Sequence, residues 1–80
     1  MLADRMAELR DMAADIFTVE PEEVERATTF SDDLGVDSLL AVELLSRIEQ
    51  RYNIMIDADD LQKMTDLRST YKVVADAAGW

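Results

Sequence analysis

The segment Asp33-Leu34-Gly35-Val36-Asp37-Ser38-Leu39 carries the residue types and spacing that point to chemistry. Gly35 is the only glycine before the C-terminal Gly79, and a glycine there permits a sharp backbone turn that a residue with a Cβ resists. Asp37 is a capping residue type ahead of an apolar-periodic run, which puts Ser38 in the first turn of a helix. A hydroxyl in that turn projects beside unpaired backbone amides and the positive end of the helix dipole, where an attached phosphate is favoured by about 0.3–1 kcal/mol. Ser38 is therefore placed to carry a phosphodiester. It is badly placed to be a nucleophile of its own. A serine hydroxyl needs an adjacent base and a third group to orient that base, and the neighbouring ionisable side chain in sequence is the Asp37 carboxylate alone. Chemistry at Ser38 is expected to come from another protein.

The rest of the composition agrees. The 80 residues include no Cys and no His, so disulfides, thiolate metal sites, zinc-binding imidazoles and a histidine relay are all excluded, and no catalytic residue is expected. Asp32 to Glu43 spans the length of a calcium loop, but its third and fifth positions are Leu34 and Val36, which have no side-chain oxygen, and Asp37 stands where a sharp turn needs glycine. No metal site is expected. Eight Lys and Arg against 18 Asp and Glu give a formal charge of −10, which repels nucleic acid and anionic membranes and favours partners with basic patches. The apolar runs are far shorter than a bilayer span, and Met1-Leu2-Ala3-Asp4 has neither a basic flank nor an apolar signal core. A single domain over residues 1–80, monomeric and cytoplasmic, is the expectation.

Four helices must hold this segment. Leu2, Met6, Leu9, Ala13, Ile16 and Phe17 recur at helical spacing, predicting helix I over residues 2–17. Pro21 stops it, with a short helical turn beyond, and residues 18–37 form a long connection pinned by Val24, Phe30 and Leu34. Helix II, 38–52, turns Ala41, Leu44, Leu45, Ile48 and Tyr52 inward. Leu39, Glu43, Ser46 and Gln50 point furthest out, Val42 and Glu49 lie on one flank, and Leu40, Arg47 and Arg51 on the other. Ile54-Met55-Ile56 lacks a partner strand and reads as an apolar connector. Asp57 or Asp59 caps a short helix III carrying Leu61 and Met64, and Thr65 starts helix IV with the stripe Leu67, Tyr71, Val74 and Ala78. Met6, Met12, Met55 and Met64 are expected to fill gaps in the core or connector. The fold class is all-α, a four-helix bundle with a short third helix and a long loop between helices I and II.

The segment resembles the signature of the acyl carrier proteins, Asp-Leu-Gly-x-Asp-Ser-Leu at the start of the second helix, matched here by Asp33 to Leu39. The resemblance extends through Val19, Glu22-Glu23-Val24, Phe30, Val42-Glu43-Leu44, Tyr52, Ile56 and Lys63-Met64-Thr65. It implies that Ser38 receives 4'-phosphopantetheine from coenzyme A through a separate phosphopantetheinyl transferase. Gly35 and Asp37 would shape the entry of that arm, whose thiol supplies the sulfur a cysteine-free chain lacks and holds acyl groups as thioesters. It further implies a partner-binding face on helix II made of Leu39, Leu40, Val42, Glu43, Ser46, Arg47 and Glu49, visited by ketosynthase-type and acyltransferase-type enzymes with basic patches. Leu45, Ile56, Leu61 and Met64, between helices II and III, are candidates to shelter part of the acyl chain.

Within that family, Arg47, Gln50 and Arg51 break the acidic run usual in fatty-acid carriers, and Asp57-Ala58 replaces a proline-containing connector. Leu39-Leu40-Ala41-Val42-Glu43-Leu44 followed by Arg47 looks more like the carriers of polyketide assembly. Fatty-acid and aminoacyl or peptidyl carriers are the alternatives, the latter opposed by Asp37. Outside the family, Asp37-Ser38 is an ordinary capping pair, Glu43 and Arg47 a stabilising i,i+4 pair, and the chain an acidic helical interaction module without a prosthetic group.

Overall fold

The computed structural model describes residues 2–80, with side chains from Asp4 onward; Leu2, which heads the predicted stripe, lies outside the described side chains. Helix α1 (Leu2–Phe17) buries Leu9, Met12, Ala13, Ile16 and Phe17, the i, i+3, i+4, i+7, i+8 set that one helical face presents, while Asp11 and Asp15 stay in solvent. It ends at Thr18, whose φ of 58° is left-handed, and the Val19 N–H returns to the Ala14 carbonyl at 3.1 Å.

The long connection contains two short helices, the helical turn expected beyond Pro21 and a second that the sequence reading leaves as loop. Helix α2 (Pro21–Arg26) starts on proline, whose missing N–H costs nothing at that position, and sinks Val24 completely. Helix α3 (Phe30–Leu34) is capped by Thr29, whose hydroxyl accepts from the Asp32 N–H at 3.3 Å, and Asp33 Oδ2 accepts from the Thr28 N–H at 2.6 Å. Phe30 packs edge-on against Phe17 at 5.3 Å between ring centres. Of the three predicted pins, Val24 and Phe30 are buried and Leu34 half-buried.

Helix α4 (Ser38–Tyr52) has the predicted ends, with Leu44 and Ile48 buried and Ala41, Leu45 and Tyr52 half-buried. Asn53 closes it in the left-handed region. The predicted helix III is a 3₁₀ helix (Ala58–Lys63). Asp57 occupies its N-cap position without a side-chain bond, so neither proposed aspartate cap forms there. Helix α5 (Leu67–Ala78) is capped by Asp66 rather than by Thr65. The Asp66 carboxylate accepts from the Ser69 N–H at 2.8 Å, while the Asp66 N–H donates to Ser69 Oγ at 3.0 Å. Its buried face is Thr70, Val73 and Val74, with Leu67, Tyr71 and Ala78 half-buried beside it. Met12 and Met64 fill the core as expected, but Met55 is 89% exposed because the connector alternates, turning Ile54 and Ile56 inward.

The architecture is all-α, as expected, with α1, α4 and α5 as its long helices and the 3₁₀ helix as the short fourth member. No described helix is long and apolar enough to cross a membrane.

Candidate functional site

Helix α3 stops at Gly35, which adopts φ 65° and ψ 29° and donates its N–H to the Phe30 carbonyl. A Cβ built there meets no atom within 4 Å, so the glycine is required by backbone conformation and not by crowding. The chain then drops Val36 into the core at 8% exposure and runs extended through Asp37 into α4. Asp37 Oδ1 accepts from the Leu40 N–H at 2.9 Å and the Asp37 carbonyl from the Ala41 N–H at 3.1 Å. Ser38 is the first residue of α4 and exposed, and the amides of Ser38 and Leu39 have no carbonyl one turn back to accept them. The Asp37 carboxylate is thus engaged in capping the helix that presents the hydroxyl, as the sequence expects.

Beside Ser38 lies a cleft of about 270 Å³ between α3, α4 and the 3₁₀ helix. Phe17, Phe30, Val36, Leu44 and Met64 give it apolar walls, and Ser31, Ser38, Gln62 and Thr65 a polar contribution. Two of the four residues expected to shelter an acyl chain, Leu61 and Met64, line it. Leu45 and Ile56 do not, because Leu45 sits one position beyond the cleft-facing Ala41 and Leu44, and Ile56 precedes the 3₁₀ helix. Val36 was not singled out from sequence. Its signal was available: an apolar residue just before an N-cap packs toward the fourth helical position, here Ala41, and both line the cleft.

The outer face of α4 divides. Leu39 at 75% and Val42 at 44% are exposed with Glu43 and Ser46 among them, a patch continuous with Ser38. The other three predicted partner-face residues have occupations within the fold. Leu40 is half-buried against the core. The Arg47 guanidinium lies 3.3 Å from Asp15 of α1, and so turns away from the i,i+4 pairing with Glu43. Glu49 is half-buried and accepts the Ile56 N–H at 2.9 Å. These engagements are tertiary and carry no local sequence signal.

Residues 7–74 match the family described as phosphopantetheine attachment site. Over 76 residues the chain is 33% identical to polyketide-8 synthase acyl carrier protein 1 of Streptomyces avermitilis, covering 95% of this chain and 90% of that one. Over 71 residues it is 37% identical to the acyl carrier protein of Streptomyces coelicolor, covering 88% and 77%. Among solved structures, a chain in that of the ishigamide ketosynthase/chain length factor aligns with a TM-score of 0.80 at 39% identity, over 96% of this chain and 97% of that chain.

Proposed function

The chain belongs to the phosphopantetheine-attachment family, the acyl carrier proteins, and on that premise we propose that Ser38 is its attachment residue and polyketide assembly its setting. The observation that carries the assignment is the exposed Ser38 hydroxyl at the first position of α4, beside two amides free of helical acceptors and an apolar-walled cleft of about 270 Å³. The residues fit the group: Ser38 offers the ester oxygen, the helix mouth favours the phosphodiester charge, and Gly35 and Asp37 hold the turn that exposes both. When bound, 4'-phosphopantetheine supplies a thiol that holds acyl groups as thioesters.

Everything else falls to the chain's own residues. Asp37 Oδ1 is taken up by the Leu40 N–H, which supports a reading in which the phosphodiester is made by a phosphopantetheinyl transferase acting on Ser38 from outside. Leu39, Val42, Glu43 and Ser46 form the face such enzymes meet, with basic patches steered by the −10 charge and the attraction weakened by salt. The apolar walls of the cleft, Leu61 and Met64 among them, support a reading in which part of the cargo lies out of water. The polyketide setting is supported by the Streptomyces avermitilis relative and by the ketosynthase/chain length factor structure.

The test is modification by mass spectrometry. With coenzyme A and a broad-range phosphopantetheinyl transferase, the wild type gains one arm on the Ser38 peptide and Ser38→Ala gains none. An unmodified wild type would leave an acidic interaction module as the better reading, and a modified Ser38→Ala would move the site.

A further inference from the structure

We infer that Glu49 is a positioning residue, whose carboxylate sets where the 3₁₀ helix stands over the cleft beside Ser38. Glu49 holds the whole connector after α4. Its carbonyl accepts the N–H groups of Asn53 and Ile54, the latter at 3.2 Å, and its side chain reaches past the helix end to accept the Ile56 N–H at 2.9 Å. Ile56 is buried at 7%, so this bond fixes the last residue of the connector at the edge of the core.

The 3₁₀ helix that follows has no buried residue of its own. Leu61 alone packs half-buried against the core, so the ties at the helix's two ends carry much of its positioning. At the far end, the Thr65 carbonyl accepts the Phe30 N–H at 2.7 Å, tying the segment to α3. At the near end the tie is Glu49. Between them lie Leu61, Gln62 and Met64, the contribution of this segment to the cleft wall. A carboxylate on α4 thus acts on the cleft through Ile56, with no contact to Ser38 itself.

The inference rests on the carrier reading for its consequence, but the bond is tested in the unmodified chain. A docking charge and a tether respond in opposite ways to two conservative variants. Glu49→Gln keeps the reach and an acceptor oxygen but loses the charge; Glu49→Asp keeps the charge but is one methylene short. For a tether, amide exchange at Ile56 stays within about threefold of wild type in Glu49→Gln and rises about tenfold in Glu49→Asp and Glu49→Ala, with the Met64 methyl resonance moving only in the latter two. Circular dichroism identifies any variant that fails to fold, and the Gln against Asp comparison stands if Glu49→Ala does. The inference is overturned if Ile56 exchange is unchanged in Glu49→Asp, or if KM for the transferase rises in Glu49→Gln while Glu49→Asp matches wild type. Absence of any modification at Ser38 would instead remove the carrier reading and leave the Ile56 result intact.

Discussion

The Tyr52 hydroxyl donates a 2.7 Å hydrogen bond to Glu8 Oε1, fastening the last turn of α4 to α1. Arg5 and Arg51 approach the same carboxylate at 3.5 and 3.9 Å. Trp80 meets the Tyr52 ring edge-on at 5.0 Å and lies 4.6 Å beneath the Arg5 guanidinium. With α4 spanning Ser38–Tyr52, this fastening sits about 21 Å along the helix from Ser38. One end of the bundle is locked by ions and aromatic rings, while the other leaves Ser38 exposed.

The fastening makes stability depend on pH at both extremes. The Tyr52 hydroxyl, with Arg5 and Arg51 behind it, holds Glu8 below its ordinary 4.5 against the opposing effect of burial. A depressed folded value means the contribution is present above that ordinary value and is lost as pH falls through the folded one. Burial first, then Glu8, raises Tyr52 above its ordinary 10.0, so its contribution is full below 10.0 and is lost as pH rises through the folded value. Tyr52→Phe is expected to lower Tm at neutral pH and to shrink the alkaline decline by the share of Tyr52, leaving that of Lys63, which Asp60 holds above its ordinary 10.5. Thermal melts followed by circular dichroism from acid to alkaline pH check this, and a variant with the wild-type profile would contradict it.

Gly35→Ala isolates backbone strain from crowding. With φ at 65° and no atom within 4 Å of the added Cβ, the cost is that of a left-handed L-residue, about 1–2 kcal/mol. Urea unfolding should show this loss with an unchanged m-value. A loss above about 3 kcal/mol would mean that the site is sterically closed.

Legibility from sequence followed the range of the forces involved. The ends of α1 and α4 could be read from periodicity, and the turn at Gly35 from residue type, because each is decided within a few residues. Helix α3 could not: five residues do not sustain a helix, and it depends on Thr29, Asp33 and the distant Thr65 carbonyl. The cap of α5 lies one residue beyond the expected Thr65, since Thr65 and Asp66 are both capping types and only the reciprocal bonds with Ser69 distinguish them. The left-handed turn at Gly35, the Asp37 cap and the place of Ser38 at the start of α4 were legible from the segment itself. The division of the α4 face was not, because Arg47 and Glu49 are claimed by Asp15 and Ile56, one from another helix and one from beyond the helix end.

Asp37 separates capping from charge. Asp37→Ala should cost about 1 kcal/mol through loss of the 2.9 Å bond to the Leu40 N–H, while Asp37→Asn should restore most of it because asparagine caps equally well. Denaturant melts of the three proteins measure the first effect. Transferase KM on the same set measures the second: if it stays raised in Asp37→Asn, the transferase reads the charge, and if it recovers, it reads the helix mouth.

Thr70 is 2% exposed in α5, and its hydroxyl is the buried side-chain polar atom without a hydrogen-bond partner among the described residues. An orphaned hydroxyl costs about 1–3 kcal/mol, and valine has nearly the same shape. Thr70→Val is expected to stabilise by about 1 kcal/mol, read as a higher denaturant midpoint. Destabilisation would show that the hydroxyl has a partner in solution.

Leu39 and Leu44 stand five positions apart on α4 and should respond in opposite ways. Leu44 is 3% exposed in the core, so Leu44→Ala removes packed atoms and leaves a cavity, at a cost of about 2–5 kcal/mol. Leu39 is 75% exposed, and truncating it should move stability by no more than about 0.5 kcal/mol. If the exposed patch is where partner enzymes dock, Leu39→Ala and Val42→Ala lower the efficiency of Ser38 modification about tenfold through KM while their melts overlay the wild type. Because kcat depends on the hydroxyl and the enzyme's own base, it should hold in both. A fall in kcat alone, with KM unchanged, would mean that the patch orients the helix mouth rather than recruiting the enzyme.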